Sequence, residues 1–157
     1  MKKIENTRTL GDVILAILSL VNQKTITNDP GFWHPMFAKL SSVCAIPQIR
    51  ELNFDFSPIT PWSDELYQSF FFLEMSNLLG YYFPTSHYSI SARKRWQQDA
   101  FKKFSIDDQI EIRVAASLIK SNHRLYLEDR DEFKNRIKIE EENKTGKSFS
   151  LNKKTKH

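Results

Sequence analysis

Residues 63–79 constrain the fold of this chain more than any other stretch. Ser63, Asp64 and Glu65 give a cap and an acidic first turn, and Gly80 supplies a stop. Between them, Leu66, Tyr67, Phe70, Phe71, Phe72, Leu73, Met75, Leu78 and Leu79 surround much of the helix circumference. A helix apolar nearly all round lies sandwiched inside its domain or is covered by another subunit. Its surroundings must therefore be apolar as well, and 12 Phe with 13% aromatic residues supply that surface. With 4 Gly and 6 Pro in 157 residues, turn formers are too few for an all-β sandwich or barrel. The length fits one domain, or one domain with a helical extension, and 40% apolar against 27% charged residues excludes a globally disordered chain.

The remaining elements follow from local signals. Thr9 caps a helix over 10–22, with Leu10, Val13, Ile14, Ile17, Leu18 and Val21 on one buried face. Asn28-Asp29-Pro30-Gly31 is a turn, and Phe32 to about Cys44 reads as a helix with Pro35 in its first turn and Pro47 closing it. Leu52–Phe56 alternates like a short strand. Tyr81–Phe83 and Tyr88–Ile90 flank Pro84-Thr-Ser-His87 as a small hairpin. Ala92–Phe104 suggests a basic amphipathic helix with Trp96, Ala100, Phe101 and Phe104 inside. Ser105 with Asp107 and Asp108 starts a long helix expected to persist to about Glu142. Its buried stripe is expected at Ile110, Val114, Leu118 and Leu125, and the sparse seam Tyr126–Phe133–Ile137 is a candidate for docking on a partner helix.

This order of helix, helix, extended segment, helix and hairpin is that of a winged helix-turn-helix domain. The run Phe54-Asp-Phe-Ser-Pro-Ile-Thr-Pro-Trp62-Ser63-Asp64-Glu65-Leu66, with Leu73, Leu78-Leu79-Gly80 and Tyr88-Ser-Ile-Ser91, resembles a pattern of several bacterial winged-helix families. Panacea-type antitoxin domains look like this, as do the small middle components of three-component, ABC-ATPase-containing antiviral systems such as Lamassu. The likeness covers about residues 10–91, and Thr60-Pro-Trp-Ser63 stands where the usual turn is Gly-Pro-Tyr-Ser. It implies a mainly α, winged-helix-like domain over 1–104 with a small β-hairpin wing. A long C-terminal helix over 105–142 and a basic flexible tail over 143–157 would follow. It also implies a role beside larger protein subunits of an antiviral complex built around an SMC- or Rad50-like ATPase.

In such a domain the helix at 63–79 occupies the position that reads the DNA major groove. It holds Asp64, Glu65 and Glu74 and no Lys or Arg, the side chains that contact phosphate and guanine. A DNA-reading role is thereby disfavoured, and Phe71, Phe72 and Met75 become partner-binding candidates. Nucleic-acid candidates lie after the wing, at Arg93, Lys94, Arg95, Lys102 and Lys103, where backbone contact needs only positive charge on one face. The pI near 9.1 adds little to that case. Five Lys and no acidic residue fall within 143–157, so residues 1–142 hold 18 basic against 19 acidic side chains.

Signals for an enzyme, cofactor or metal are missing. Glu142-Asn-Lys-Thr-Gly146-Lys147-Ser148 imitates the end of a P-loop, but Glu141 stands where its first Gly belongs and no buried strand precedes it. His34, His87, His123 and His157 show no metal-ligand spacing among themselves or with Cys44. His34 reads as structural and His123 as solvent-facing. The apolar run Val13–Val21 is too short to span a membrane and lacks a signal-peptide cleavage site, and one cysteine suits a reducing compartment, so a cytoplasmic protein is expected. Two functions stay open: a non-enzymatic adaptor subunit, or a winged-helix DNA-binding regulator or antitoxin using the post-wing basic segment.

Overall fold

The computed structural model describes residues 8–21, 25–82, 87–89 and 99–137, and the chain is mainly helical. Helix α1 (Leu10–Val21) opens on a reciprocal cap. The Thr9 N–H donates to Asp12 Oδ2 at 2.9 Å and the Asp12 N–H to Thr9 Oγ1 at 3.2 Å. Strand β1 (Thr25–Thr27), three β-branched residues in a row, follows as an element additional to those expected. Helix α2 (Pro30–Val43) starts two residues earlier than expected, because Asp29 caps it through the Gly31 N–H at 2.8 Å and Pro30 occupies its first turn. Pro47 opens the four-residue helix α3 (Pro47–Arg50) instead of only ending α2. The expected strand at 52–56 reduces to one bridge, Asp55 with Trp62.

Helix α4 (Asp64–Met75) is capped by Ser63, whose Oγ accepts the Leu66 N–H at 3.3 Å. It ends four residues short of the expected bound. Asn77 takes a left-handed φ of 55°, and the N–H groups of Leu78 and Leu79 both return to the Leu73 carbonyl. Strands β2 (Gly80–Tyr82) and β3 (His87–Ser89) pair antiparallel, and β1 pairs on the other side of β3, giving the order β1-β3-β2. Helix α5 (Ile106–Glu128) is capped by Ser105 through the Asp108 N–H.

Three expectations about the C-terminal region are corrected. Helix α5 does not run on to Glu142: at Asp129 the backbone turns extended, and a separate helix α6 covers 130–137. The Asp129 N–H closes α5 on the Leu125 carbonyl, while its Oδ1 accepts the N–H groups of Asp131 and Glu132, so one residue ends one helix and starts the next. The turn folds α6 back, so Tyr126, Phe133 and Ile137 are buried in the chain's own core, with Phe133 5.4 Å from Phe32 and 5.5 Å from Tyr126 between ring centroids. They form no partner seam. The buried face of α5 is Ile112, Ala115, Ala116, Ile119, His123 and Tyr126, whereas Ile110 and Val114 are 54% and 52% exposed. The small Ala115 and Ala116 allow close approach to α1, the helix with which α5 packs most extensively.

The core joins α1 to the aromatic side chains of α2. Phe32, Trp33, Met36, Phe37 and Leu40 are buried against Ile14, Ile17, Leu18 and Ile26. Trp33 sits at the centre, with ring centroids 5.0 Å from both Phe32 and Phe70, and its indole N–H donates to the Thr27 carbonyl at 2.7 Å.

Candidate partner-docking site

Helix α4 divides cleanly between two environments. Leu66, Phe70 and Leu73, at 4-3 spacing, turn inward and are buried. Outward, Tyr67 is 45%, Phe71 48%, Phe72 65% and Met75 68% exposed. The sequence left open whether this helix is enclosed or lies at an interface; three of its twelve residues are enclosed and its outer face is exposed.

An aromatic row leads onto that face. His34 stacks on Trp62 at 4.1 Å and 7°, Trp62 lies 5.4 Å from Tyr67, and Tyr67 stacks on Phe71 at 6.5 Å. The row begins buried. His34 Nδ1 accepts the Ser63 N–H at 3.0 Å, which fixes the neutral ring, and burial lowers its pKa to about 4 against the opposing pull of Asp64. The Trp62 indole N–H donates to Asp64 Oδ1 at 2.9 Å, holding the ring against the start of α4.

Beside the row, a cleft of about 370 Å³ opens between α2, α4 and β3, lined by Asn28, Pro30, Trp33, His34, Tyr67, Phe70, Phe71, Glu74 and Tyr88. Its walls are mostly rings, and Glu74 carries the one formal charge among these lining residues. Phe72, 100° further round the helix, faces a different depression of about 270 Å³ formed with Leu10, Leu15, Ser69 and Leu78. Phe71, Phe72 and Met75 are thus all exposed on α4, but they do not form one pocket. Tyr67, Trp62 and His34 were missed as site residues. The i, i+4 relation of Tyr67 to Phe71 was a readable signal for the first, whereas the approach of His34 to Trp62 needs the tertiary fold.

Of the nucleic-acid candidates, Arg93, Lys94 and Arg95 lie outside the described residues. Lys102 and Lys103 are exposed. They line a depression of about 520 Å³ with Arg8, Asp12, Leu15, Leu78 and Asp99, and an Arg8 Nη–H donates to the Lys103 carbonyl at 3.2 Å. Two carboxylates in that lining offset much of the positive charge.

The buried His34 and His123 each serve the fold. His123 is buried, not solvent-facing, and its Nε2 accepts the Thr27 N–H at 3.1 Å. Cys44 is a buried thiol whose pKa burial pushes up. Among the described residues no group of three or more His, Cys, Asp or Glu side chains is arranged to hold a metal, and no helix is long and apolar enough to cross a membrane. No protein-family model, curated protein or solved structure matches the chain.

Proposed function

We propose that this chain is a non-enzymatic, winged-helix-like accessory subunit that docks on a larger protein through the outer face of α4. The observation that carries the reading is the exposure of Tyr67, Phe71, Phe72 and Met75 on a helix that holds Asp64, Glu65 and Glu74 but no Lys or Arg. Large apolar side chains gathered on one exposed face favour association, and the acidic helix repels phosphate. The partner surface that complements it is apolar with a Lys- or Arg-bearing rim.

The winged-helix part of the reading is supported by the element order α1-β1-α2-α4-β2-β3 and the sheet order β1-β3-β2, with the short α3 inserted before α4. On the resemblance of the motifs within residues 54–91, the partner in this proposal is an SMC- or Rad50-like ATPase of a cytoplasmic antiviral defence complex. Co-expression with the neighbouring genes, followed by size-exclusion and light scattering, tests it. The expected result is a complex that Phe71→Asp with Met75→Asp disrupts while the thermal midpoint of the subunit stays unchanged. A compact monomer that binds none of its neighbours overturns it.

A second reading, a DNA-binding regulator or antitoxin contacting the phosphate backbone, is favoured by the exposure of Lys102 and Lys103 beside Arg8.

A further inference from the structure

We propose that the cleft between α2, α4 and β3 receives an arginine side chain of the docked partner. The inference rests on the docking reading of α4 and names the group that enters its cleft.

The cleft combines rings with a single negative charge. Of its nine lining residues, Trp33, Tyr67, Phe70, Phe71 and Tyr88 are aromatic, and Glu74 is the one that carries a formal charge. Tyr67, Phe70, Phe71 and Glu74 stand at positions i, i+3, i+4 and i+7 of α4, so they form one stripe along the helix. Trp33, Phe70 and Tyr88 are buried and make the floor, whereas Tyr67 and Phe71 stay exposed at the rim. A group that reaches Glu74 therefore lies alongside the Phe71 ring, one turn earlier.

The Glu74 carboxylate selects a cation. Among the described residues it makes no hydrogen bond or ion pair, and no Lys or Arg lines the cleft. An uncharged occupant would take that carboxylate out of water without a partner, at a cost that a cation removes. His34 adds no positive charge near neutral pH, because burial holds its pKa at about 4 against the pull of Asp64.

A guanidinium fits this site better than other cations. It is planar and weakly hydrated, so it lies on a ring while pairing a carboxylate through two N–H groups, and its aliphatic stem covers apolar wall. The chain itself makes such contacts: Arg113 lies over the Phe101 ring at 5.0 Å and Arg130 over the Tyr126 ring at 5.1 Å. A lysine ammonium is a more strongly hydrated point charge. A bare divalent cation needs several oxygen ligands, and the lining offers one carboxylate. The volume of about 370 Å³ leaves room for an apolar neighbour of the arginine.

NMR titration of the full chain with the capped tripeptide leucyl-arginyl-leucine tests the proposal without the partner, so it and the docking reading fail separately. The expected result is saturable shifts of the Tyr67, Phe71 and Glu74 amides and the Trp33 indole, with Ile110 and Val114 on α5 unmoved. Citrulline in place of the arginine keeps the shape, removes the charge and should weaken binding roughly tenfold, with lysine in between. Glu74→Gln should lower the affinity for the arginine peptide several-fold and leave both the citrulline peptide and the thermal midpoint unaffected. Four results overturn the proposal: no saturable shift at the cleft, equal affinity for the arginine and citrulline peptides, a lysine peptide that binds as tightly as arginine, or arginine binding that survives Glu74→Gln.

Discussion

His123 of α5 accepts the backbone N–H of Thr27 at 3.1 Å, across 96 residues of sequence. One turn further on, the Tyr126 hydroxyl donates to Asp29 Oδ2, and Asp29 in turn caps α2. The end of β1 and the start of α2 are therefore held from outside by α5, which explains why a polar side chain sits on its buried face. Replacing His123 with Leu keeps the bulk but leaves the Thr27 N–H without this acceptor in a buried setting, and a loss of roughly 1–3 kcal/mol is expected. His123→Ala adds a cavity and should cost more. Urea unfolding of both variants checks the order, and equal stability of His123→Leu and the unsubstituted chain would refute the clamp.

His34 makes the fold sensitive to acid. Burial lowers its pKa from 6.5 to about 4, so the unfolded chain binds the proton more readily than the folded one. The associated stability is complete above pH 6.5 and is lost as the pH falls from there towards 4, by up to roughly 3 kcal/mol. His34→Asn keeps an acceptor for the Ser63 N–H but does not titrate in this window. Unfolding midpoints followed from pH 7.5 to 4 should fall less steeply for His34→Asn. Parallel curves would exclude His34 as the cause.

The local chemistry of this fold was legible, and its long-range choices were not. Thr9, Ser63 and Ser105 cap their helices through side-chain oxygens three residues away, so sequence places those starts, whereas Asp29 reads as a turn residue and its capping of α2 shifts that start by two residues. On α5 two apolar stripes compete. Of Ile110–Val114–Leu118–Leu125, Leu118 and Leu125 pack partly buried at the edge of the core while Ile110 and Val114 are exposed, because the stripe holding Ala115 and Ala116 is the one that lets α1 approach. Nor does composition reveal the break at Asp129, since residues 130–137 keep a helical charge pattern, with Arg136 and Glu132 paired one turn apart at 3.4 Å. At the candidate site, exposed Phe71, Phe72 and Met75 could be named from α4's pattern. Trp62 and His34 join them only through the loop that stacks one on the other.

Phe133 separates a core role from an interface role. Fully enclosed by Phe32 and Tyr126, it should cost about 3–5 kcal/mol when truncated to Ala in the isolated chain. Phe72→Ala, on the exposed side of α4, should change stability by no more than about 0.5 kcal/mol. Thermal unfolding of the two variants side by side is the measurement. A Phe133→Ala chain as stable as the parent would return Phe133 to the surface and reopen the partner seam.

Lys102 and Lys103 offer the sharpest test of the DNA-binding alternative, because both are exposed and neither supports the core. Each phosphate contact made by a lysine contributes about 0.9 to the slope of log affinity against log salt. If these two residues touch the backbone, Lys102→Ala with Lys103→Ala should flatten that slope by nearly two while leaving sequence preference unchanged. Asp12 and Asp99 share the same depression and weaken its field, so the docking reading of α4 predicts little DNA affinity at physiological salt and no change in slope. Fluorescence anisotropy with a labelled duplex, titrated at several salt concentrations, distinguishes the two. Tight, salt-sensitive binding lost in the double variant would transfer the function from α4 to this basic edge.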